Sequence, residues 1–403
     1  MEPRRDVGVV LSGGGVNGVM MELGFLQRLR ESVLWPRIAA IFGTSSGALS
    51  GSLAALDRLD DLERFLMALQ PEQTFRPNRL WRLPFLGLHD YALPQTIDIW
   101  FGGLTRMAEE LATSPVELVV VATDLSDEAA PEDGFELVYS AWTTPPAELA
   151  QAVLASAAVS ALVMPVRVGD RIATDGAWVR NFPLAHAYNH DAVELIVAFR
   201  YLAQYPRLGV GALQPLRKRL LRFRKIPPVR AFIAEIDEAE ARAERGEPAH
   251  LADMIVRLAR VTIRRNTQTE ERVAEATDQS LRELRSLRHD VLGLVDEPGL
   301  HEAVAARFAA ADFPFRKERL VPRIVVHGTT EGPGLEPGVR NQPHWSDEEK
   351  RALIRHGWEL ADEQLGAIAV DDGRLDVDSR HSHLNPHQAS TPTLSRTGRS
   401  SAW

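Results

Sequence analysis

The chain has 403 residues, 45% of them hydrophobic and 25% charged, with a formal net charge of -9. That is apolar material for one large domain or two ordinary ones, and the acidic balance argues against nucleic-acid binding, because phosphate-facing domains are basic. There is no cysteine, which excludes a disulfide framework, a thiolate metal site and a thiol nucleophile.

The segment 6–200 alternates strand-like and helix-like stretches. A strand is expected at 7–11, a helix through 20–29, a strand at 38–42 and a helix at 48–56, which is the βαβα pattern of a parallel sheet covered by helices. A glycine turn stands at each strand-to-helix junction. Leu11-Ser12-Gly13-Gly14-Gly15-Val16-Asn17-Gly18 lets backbone N–H groups crowd close to a ligand, as an oxyanion hole requires. Gly43-Thr44-Ser45-Ser46-Gly47 has the G-x-S-x-G form that exposes a serine hydroxyl at an elbow, beside a helix N-terminus that favours negative charge. Ser45 is central between Gly43 and Gly47 and reads as an acyl-transfer nucleophile; Ser46 reads as facing the helix start. The glycine run could also cradle a phosphate, but no Gly-Lys-Ser/Thr follows it.

The stretch 74–103 breaks the alternation, scattering Phe75, Trp81, Phe85, Tyr91, Trp100 and Phe101 among prolines and glycines. It reads either as a substrate-facing flap or as a loop anchored by its aromatics. Further strands are expected at 117–122 and 195–199, with an alanine-rich helix at 147–161 between them. Val166-Arg167-Val168, Gly169-Asp170 and Arg171-Ile172-Ala173-Thr174 form a hairpin pattern around a favoured two-residue loop. Asp124, just after a strand, reads as a turn or capping residue.

No acidic residue occurs between Glu194 and Glu235, and Leu216-Arg217-Lys218-Arg219-Leu220-Leu221-Arg222-Phe223-Arg224-Lys225 mixes cations with apolar side chains. A basic amphipathic segment of this kind can lie on an anionic membrane surface; a solvated helix face is the default reading. Residues 228–310 read as long charged helices, at 231–245 and 251–288, followed by a strand at 323–327. A helix at 345–365 is opened by Ser346, with Glu348 and Glu349 in its first turn. The tail from about Asp371, rich in Ser, Thr, His, Arg and Pro, has a disordered composition. No run reaches the roughly 18 apolar residues that span a bilayer, and the apolar run after Met1-Glu2-Pro3-Arg4-Arg5-Asp6 is too short for a signal core. A cytoplasmic protein, at most peripheral to the membrane, is expected.

A serine hydroxyl needs a base within hydrogen-bond reach. The residues offer two: Asp175 in Thr174-Asp175-Gly176-Ala177, at a strand end, and His327, which also ends a strand and would complete the Ser-Asp-His order of α/β-hydrolases. His186 and His190 read as surface or satisfied polar residues, and no metal motif emerges.

Five blocks, Gly13-Gly14-Gly15-Val16-Asn17-Gly18, Gly43-Thr44-Ser45-Ser46-Gly47, Val121-Ala122-Thr123-Asp124-Leu125, Ala155-Ser156-Ala157-Ala158 and Asp175-Gly176-Ala177-Trp178-Val179-Arg180-Asn181-Phe182-Pro183-Leu184, in this order and spacing over residues 6–200, resemble the patatin-like phospholipases. The resemblance implies an α/β fold with three layers, α/β/α, around a mainly parallel central sheet. It places a catalytic core at 6–200 and leaves 201–370 as a helical C-terminal elaboration packing on it, with the tail at 371–403. It further implies a Ser-Asp dyad without catalytic histidine: Ser45 attacks the acyl carbonyl, Asp175 accepts its proton, and the N–H groups of Gly13, Gly14 and Gly15 hold the oxyanion. The implied activity is a serine lipid acyl hydrolase cleaving carboxylic esters without a cofactor. An acyltransferase, or a lipid-binding regulator of the same fold with little turnover, are the alternatives. Two positions depart from the family pattern: Asn17 stands where Arg or Lys is usual, and Ser160 where proline is usual.

Overall fold

The computed structural model describes residues 4–78, 89–126, 135–159, 163–201, 214–248, 251–311, 320–329, 346–366, 369–371 and 374–376. Its strands include β1 (Val7–Leu11), β2 (Ile38–Thr44), β3 (Phe75–Pro77), β4 (His89–Tyr91), β5 (Glu117–Asp124), β6 (Glu136–Ser140), β7 (Val166–Val168), β8 (Arg171–Asp175), β9 (Leu195–Tyr201) and β10 (Arg323–Gly328); Ala369–Asp371 and Arg374–Asp376 pair as a separate antiparallel ribbon. Every residue of β1, β2, β5 and β9 is buried, as expected of central strands with both faces covered.

Eight of the numbered strands, all but β3 and β4, build one sheet of order β10-β9-β1-β2-β5-β8-β7, with β6 pairing β5 outside that path. The pairs β10/β9, β9/β1, β1/β2 and β2/β5 are parallel, while β5/β6, β5/β8 and β7/β8 are antiparallel. The sheet is thus mainly parallel, with an antiparallel side beyond β5. Side chains alternate across it with the strand period of two. Val7, Val9, Leu11, Ile41, Val197 and Phe199 join one core with helices α1 (Gly15–Arg30), α2 (Ser46–Ala55) and α3 (Leu59–Ala68). Val10, Ala40, Phe42, Ile196 and Ala198 join a second core with Leu184, Ala187, Ala274 and Leu281 on the other face. Two cores on opposite faces of one sheet make the three-layer α/β/α architecture.

Several expectations shift in detail. The stretch 74–103 is more regular than its composition suggests: β3 and β4 form a short antiparallel ribbon, and a helix runs Leu93–Phe101 with proline in its first turn, where the missing N–H costs no bond. Trp81 and Phe85 lie outside the described residues. The alanine-rich helix spans Pro146–Ser156 and stops short of 161, because Ala158 O turns to accept the backbone N–H of Asp175. Ser160 lies outside the described residues. Strand β6 was not anticipated from the sequence.

The C-terminal region contributes to the same sandwich. Strand β10 extends the sheet beside β9, and a helix, Asp347–Leu365, opens with a full capping box between Ser346 and Glu349 and packs along α1. Lys350 on it is completely buried, its ammonium donating to Met67 O and Leu69 O at 2.7 Å each, so it caps the C-terminus of α3. The 43-residue helix Leu251–Gly293, about 65 Å long, crosses the opposite face beneath the 177–189 helices. Among the described residues no helix is long and apolar enough to cross a membrane. Most of the tail, residues 377–403, lies outside the described residues.

Candidate active site

Three pairings along β5 bring the key residues together. Strand β2 runs beside it from Ala40 opposite Glu117 to Thr44 opposite Val121. The next position, Ala122, pairs with Asp175 at the end of β8. Strand β6 pairs with Val119 to Thr123, overlapping both stretches, so β2 and β8 must share the other edge. One strand ends where its neighbour arrives, and the residue after Thr44 meets the last residue of β8.

That residue is Ser45. Its Oγ donates to Asp175 Oδ2 at 2.8 Å, and both side chains are buried, at 7% and 3% exposure. Ser45 has φ 57°, a positive value that L-residues adopt only under local constraint. The elbow depends on glycine at Gly43, where a Cβ would stand 2.3 Å from Gly47 O. Backbone bonds fix it from behind: Ser45 N–H donates to Ser156 Oγ at 2.8 Å, and Ser156 Oγ donates to Val121 O at 2.6 Å.

Asp175 is held as firmly. Ala177 N–H donates to its Oδ1 at 2.8 Å, and Thr123 Oγ1 donates to its backbone carbonyl at 2.7 Å. Burial pushes the carboxyl up to about 7, against the Ala177 N–H and the Ser45 hydroxyl, which favour the charged form. Near neutral pH such a group can both take and return a proton.

The glycine loop lies against Ser45; a Cβ on Gly13 would stand 2.9 Å from Ser45 Cβ and 2.5 Å from Asn181 Oδ1. Two of its three amides are engaged within the protein: Gly13 N–H donates to Asn181 O at 3.0 Å and Gly14 N–H to Ser46 Oγ at 2.9 Å. Gly15 is exposed, at φ 60°, and its N–H has no acceptor among the described residues. Asn17 is buried near the hydroxyl of Tyr201, whose ring packs over Gly14.

The histidines stand elsewhere. His327 lies on β10, three strands from β2 and so about 14 Å away across the sheet, with Nδ1 3.3 Å from Arg200 Nη1. His186 pairs with Glu136 at 2.8 Å and His190 with Glu117 at 2.9 Å. Asp124 is the last residue of β5; its side chain accepts Ser126 N–H, bridging into the following turn, and pairs with Arg171. Among the described residues no group of three or more His, Asp or Glu could hold a metal ion.

Three features went unread in the sequence. Ser156 and Asn181 sit inside the quoted blocks, yet only the fold gives them the amides of Ser45 and Gly13 to hold. Glu22 on α1 is fully buried; Ser50 Oγ on α2 donates to its Oε2 at 2.8 Å, and burial raises its carboxyl to about 8. An acidic residue inside a helix carries no sequence mark of such a position.

Comparison with curated proteins finds no match. Among solved structures the chain is similar to VipD from Legionella pneumophila, at 14% identity and a TM-score of 0.39, over 90% of this chain and 67% of that one. Residues 9–188, the span from β1 through both glycine turns to the segment after Asp175, match the family model of the patatin-like phospholipases, and the chain therefore carries a domain of that family.

Proposed function

We propose that the chain is a serine lipid acyl hydrolase acting through an acyl-enzyme on Ser45 with Asp175 as base. The observation that carries this reading is the 2.8 Å hydrogen bond from Ser45 Oγ to Asp175 Oδ2 in a buried setting. The domain assignment supports a lipid hydrolase in general; the dyad and the ester substrate are the finer reading. Ser45 Oγ attacks the ester carbonyl carbon as its proton passes to Asp175 Oδ2. The oxyanion is held by the Gly15 N–H and by the amide following the nucleophile, Ser46, at the positive end of α2. Taking Gly13 and Gly14 into the hole as well requires their amides to leave Asn181 O and Ser46 Oγ. Collapse breaks the ester C–O bond, and the alcohol leaves with the proton from Asp175. Water then attacks the acyl-enzyme as Asp175 takes a proton from it; the acyl C–O bond breaks, Asp175 returns that proton to Ser45 Oγ, and the fatty acid departs. An alcohol in place of water would give an acyltransferase on the same intermediate.

The test is labelling by a fluorophosphonate together with a screen of phospholipids and simple carboxylic esters. Wild type should be labelled and Ser45→Ala should not; an unlabelled wild type with no esterase activity overturns the reading and favours a lipid-binding regulator.

Peripheral contact with an anionic membrane is part of the same proposal. Leu221, Phe223 and Ile226 are 38%, 49% and 48% exposed, interleaved with Arg222, Arg224 and Lys225 and preceded by Lys218 and Arg219. Arg217 is tied to Asp237 at 2.6 Å and adds little free charge. Exposed apolar side chains among cations suit the headgroup region of an anionic bilayer. Co-sedimentation with anionic vesicles should fall sharply for Phe223→Asp combined with Arg222→Glu; equal binding of variant and wild type overturns it.

A further inference from the structure

The turn that carries Asp175 is fastened from outside the matched domain. Six polar contacts join the long helix Leu251–Gly293 to residues 177–185. Asn266 Nδ2 donates to Ala177 O at 2.7 Å and, more weakly, to Trp178 O at 3.4 Å. Asn181 N–H donates to Asn266 Oδ1 at 3.3 Å, and Asn181 Nδ2 donates to Thr267 Oγ1 at 3.2 Å. Glu270 pairs with Arg180 and accepts Ala185 N–H at 3.2 Å. Thr267 is 1% exposed and its hydroxyl donates to Ile263 O at 2.8 Å, so its lone pairs point to Asn181 by elimination.

What these bonds hold is the reacting geometry. Ala177, whose carbonyl Asn266 grips, uses its N–H to fix Asp175 Oδ1. Asn181, gripped by Asn266 and Thr267, uses its carbonyl to fix Gly13 N–H. Arg180, gripped by Glu270, offers its carbonyl to Thr44 Oγ1 at 2.9 Å, the residue before the nucleophile. Base, glycine loop and nucleophile strand are each one hydrogen bond from a residue that the helix holds. Residues 9–188, which the family model covers, include none of the gripping side chains.

We infer that Asn266 and Thr267 are positioning residues for the hydrolytic site, the helix Leu251–Gly293 serving as a splint that sets the Asp175–Asn181 turn against Ser45. The inference rests on the proposed Ser45–Asp175 dyad. Holding reacting groups in register contributes strongly to rate, and a displacement of about 1 Å can cost about 100-fold. Removing the Asn266 amide should therefore slow the chemical step without weakening the first encounter with a ligand.

The rate of fluorophosphonate labelling, resolved into its maximal rate and its half-saturating concentration, tests this on the full chain. Asn266→Ala should lower the maximal rate by roughly 10- to 100-fold with the half-saturating concentration within about twofold. Thr267→Val, which keeps shape but loses the hydroxyl, should lower it as well, and Thr267→Ser should restore it. Val273→Ala, on the exposed side of the same helix, controls for general loosening and should label at the wild-type rate. Wild-type labelling in both Asn266→Ala and Thr267→Val, or equal losses in Thr267→Val and Thr267→Ser, overturns the inference. Ser45→Ala keeps the two levels apart. If it still labels, the dyad reading fails; if it is silent while the helix variants label normally, only the splint fails.

Discussion

Asp175 should be costly to the fold, and Asp175→Asn should reveal by how much. The carboxyl rises from 3.8 to about 7 through burial, no charged neighbour contributing. A folded-state pKa raised above the unfolded value means that the stability tied to this group is fully present below about pH 4 and is lost as pH rises toward 7. At about 1.4 kcal/mol per unit, a rise of about three units costs up to about 4 kcal/mol above neutrality. Asparagine is neutral throughout, and its oxygen can still accept the Ala177 N–H. At about pH 8 the variant should therefore be about 2–4 kcal/mol more stable than wild type, the difference vanishing near pH 4. Urea unfolding at several pH values measures it. Labelling of Ser45 should fall at least about 1000-fold in the same protein, because no base remains. In wild type the labelling rate should climb with a midpoint near 7, as the carboxyl ionises. Equal stability of the two proteins across the pH range would refute the reasoning, since Asp175 would then ionise in place at no cost to the fold.

Further outcomes follow from other sites. Glu22, raised to about 8 by burial and with Oε1 lacking a hydrogen-bond partner, should make wild type lose stability as pH rises from about 4.5 to about 8, the loss levelling off above that. In Glu22→Gln that loss should be absent by denaturant titration, and an identical pH profile in both proteins would contradict it. His327→Ala should label Ser45 at close to the wild-type rate, given three intervening strand spacings; a loss of several orders of magnitude would restore the triad. Lys350→Met should lower stability by about 1–3 kcal/mol by stranding the carbonyls of Met67 and Leu69, seen as a lower urea midpoint with unchanged labelling.

The parts of the fold legible in the sequence were those written in local pattern. The apolar run Val7–Leu11 and the hairpin around Gly169-Asp170 emerged where their residues placed them, because strand period and turn chemistry are decided within a few neighbours. The Leu93–Phe101 helix was hidden by aromatics whose apolar face has meaning only against Phe65 and the α3 side of the core. Strand β6 carries half-buried residues on both sides of an exposed Val138, a pattern that its pairing with β5 resolves and its own composition does not. At the site, Ser45 and Asp175 could be named because glycines mark their turns. Asn266 and Thr267 could not. They sit 85 and 86 residues from the Asn181 groups they hold, in a helix whose polar residues look like any solvated face until the packing is known.

The shared edge of β5 also says which changes the site would tolerate. Ser45 and Asp175 are 130 residues apart in the chain, yet their spacing is measured out by two adjacent rungs on β5, Val121 for one strand and Ala122 for the other. The connecting segments can lengthen or shorten without altering that ruler. A slip of one residue along β5 would move its partners by about 3.3 Å and turn their side chains to the opposite face. The tightest constraint on the Ser45–Asp175 geometry therefore falls on Val119-Val120-Val121-Ala122, a stretch with no reactive side chain, and drift between relatives should accumulate in the loops long before it reaches those four residues.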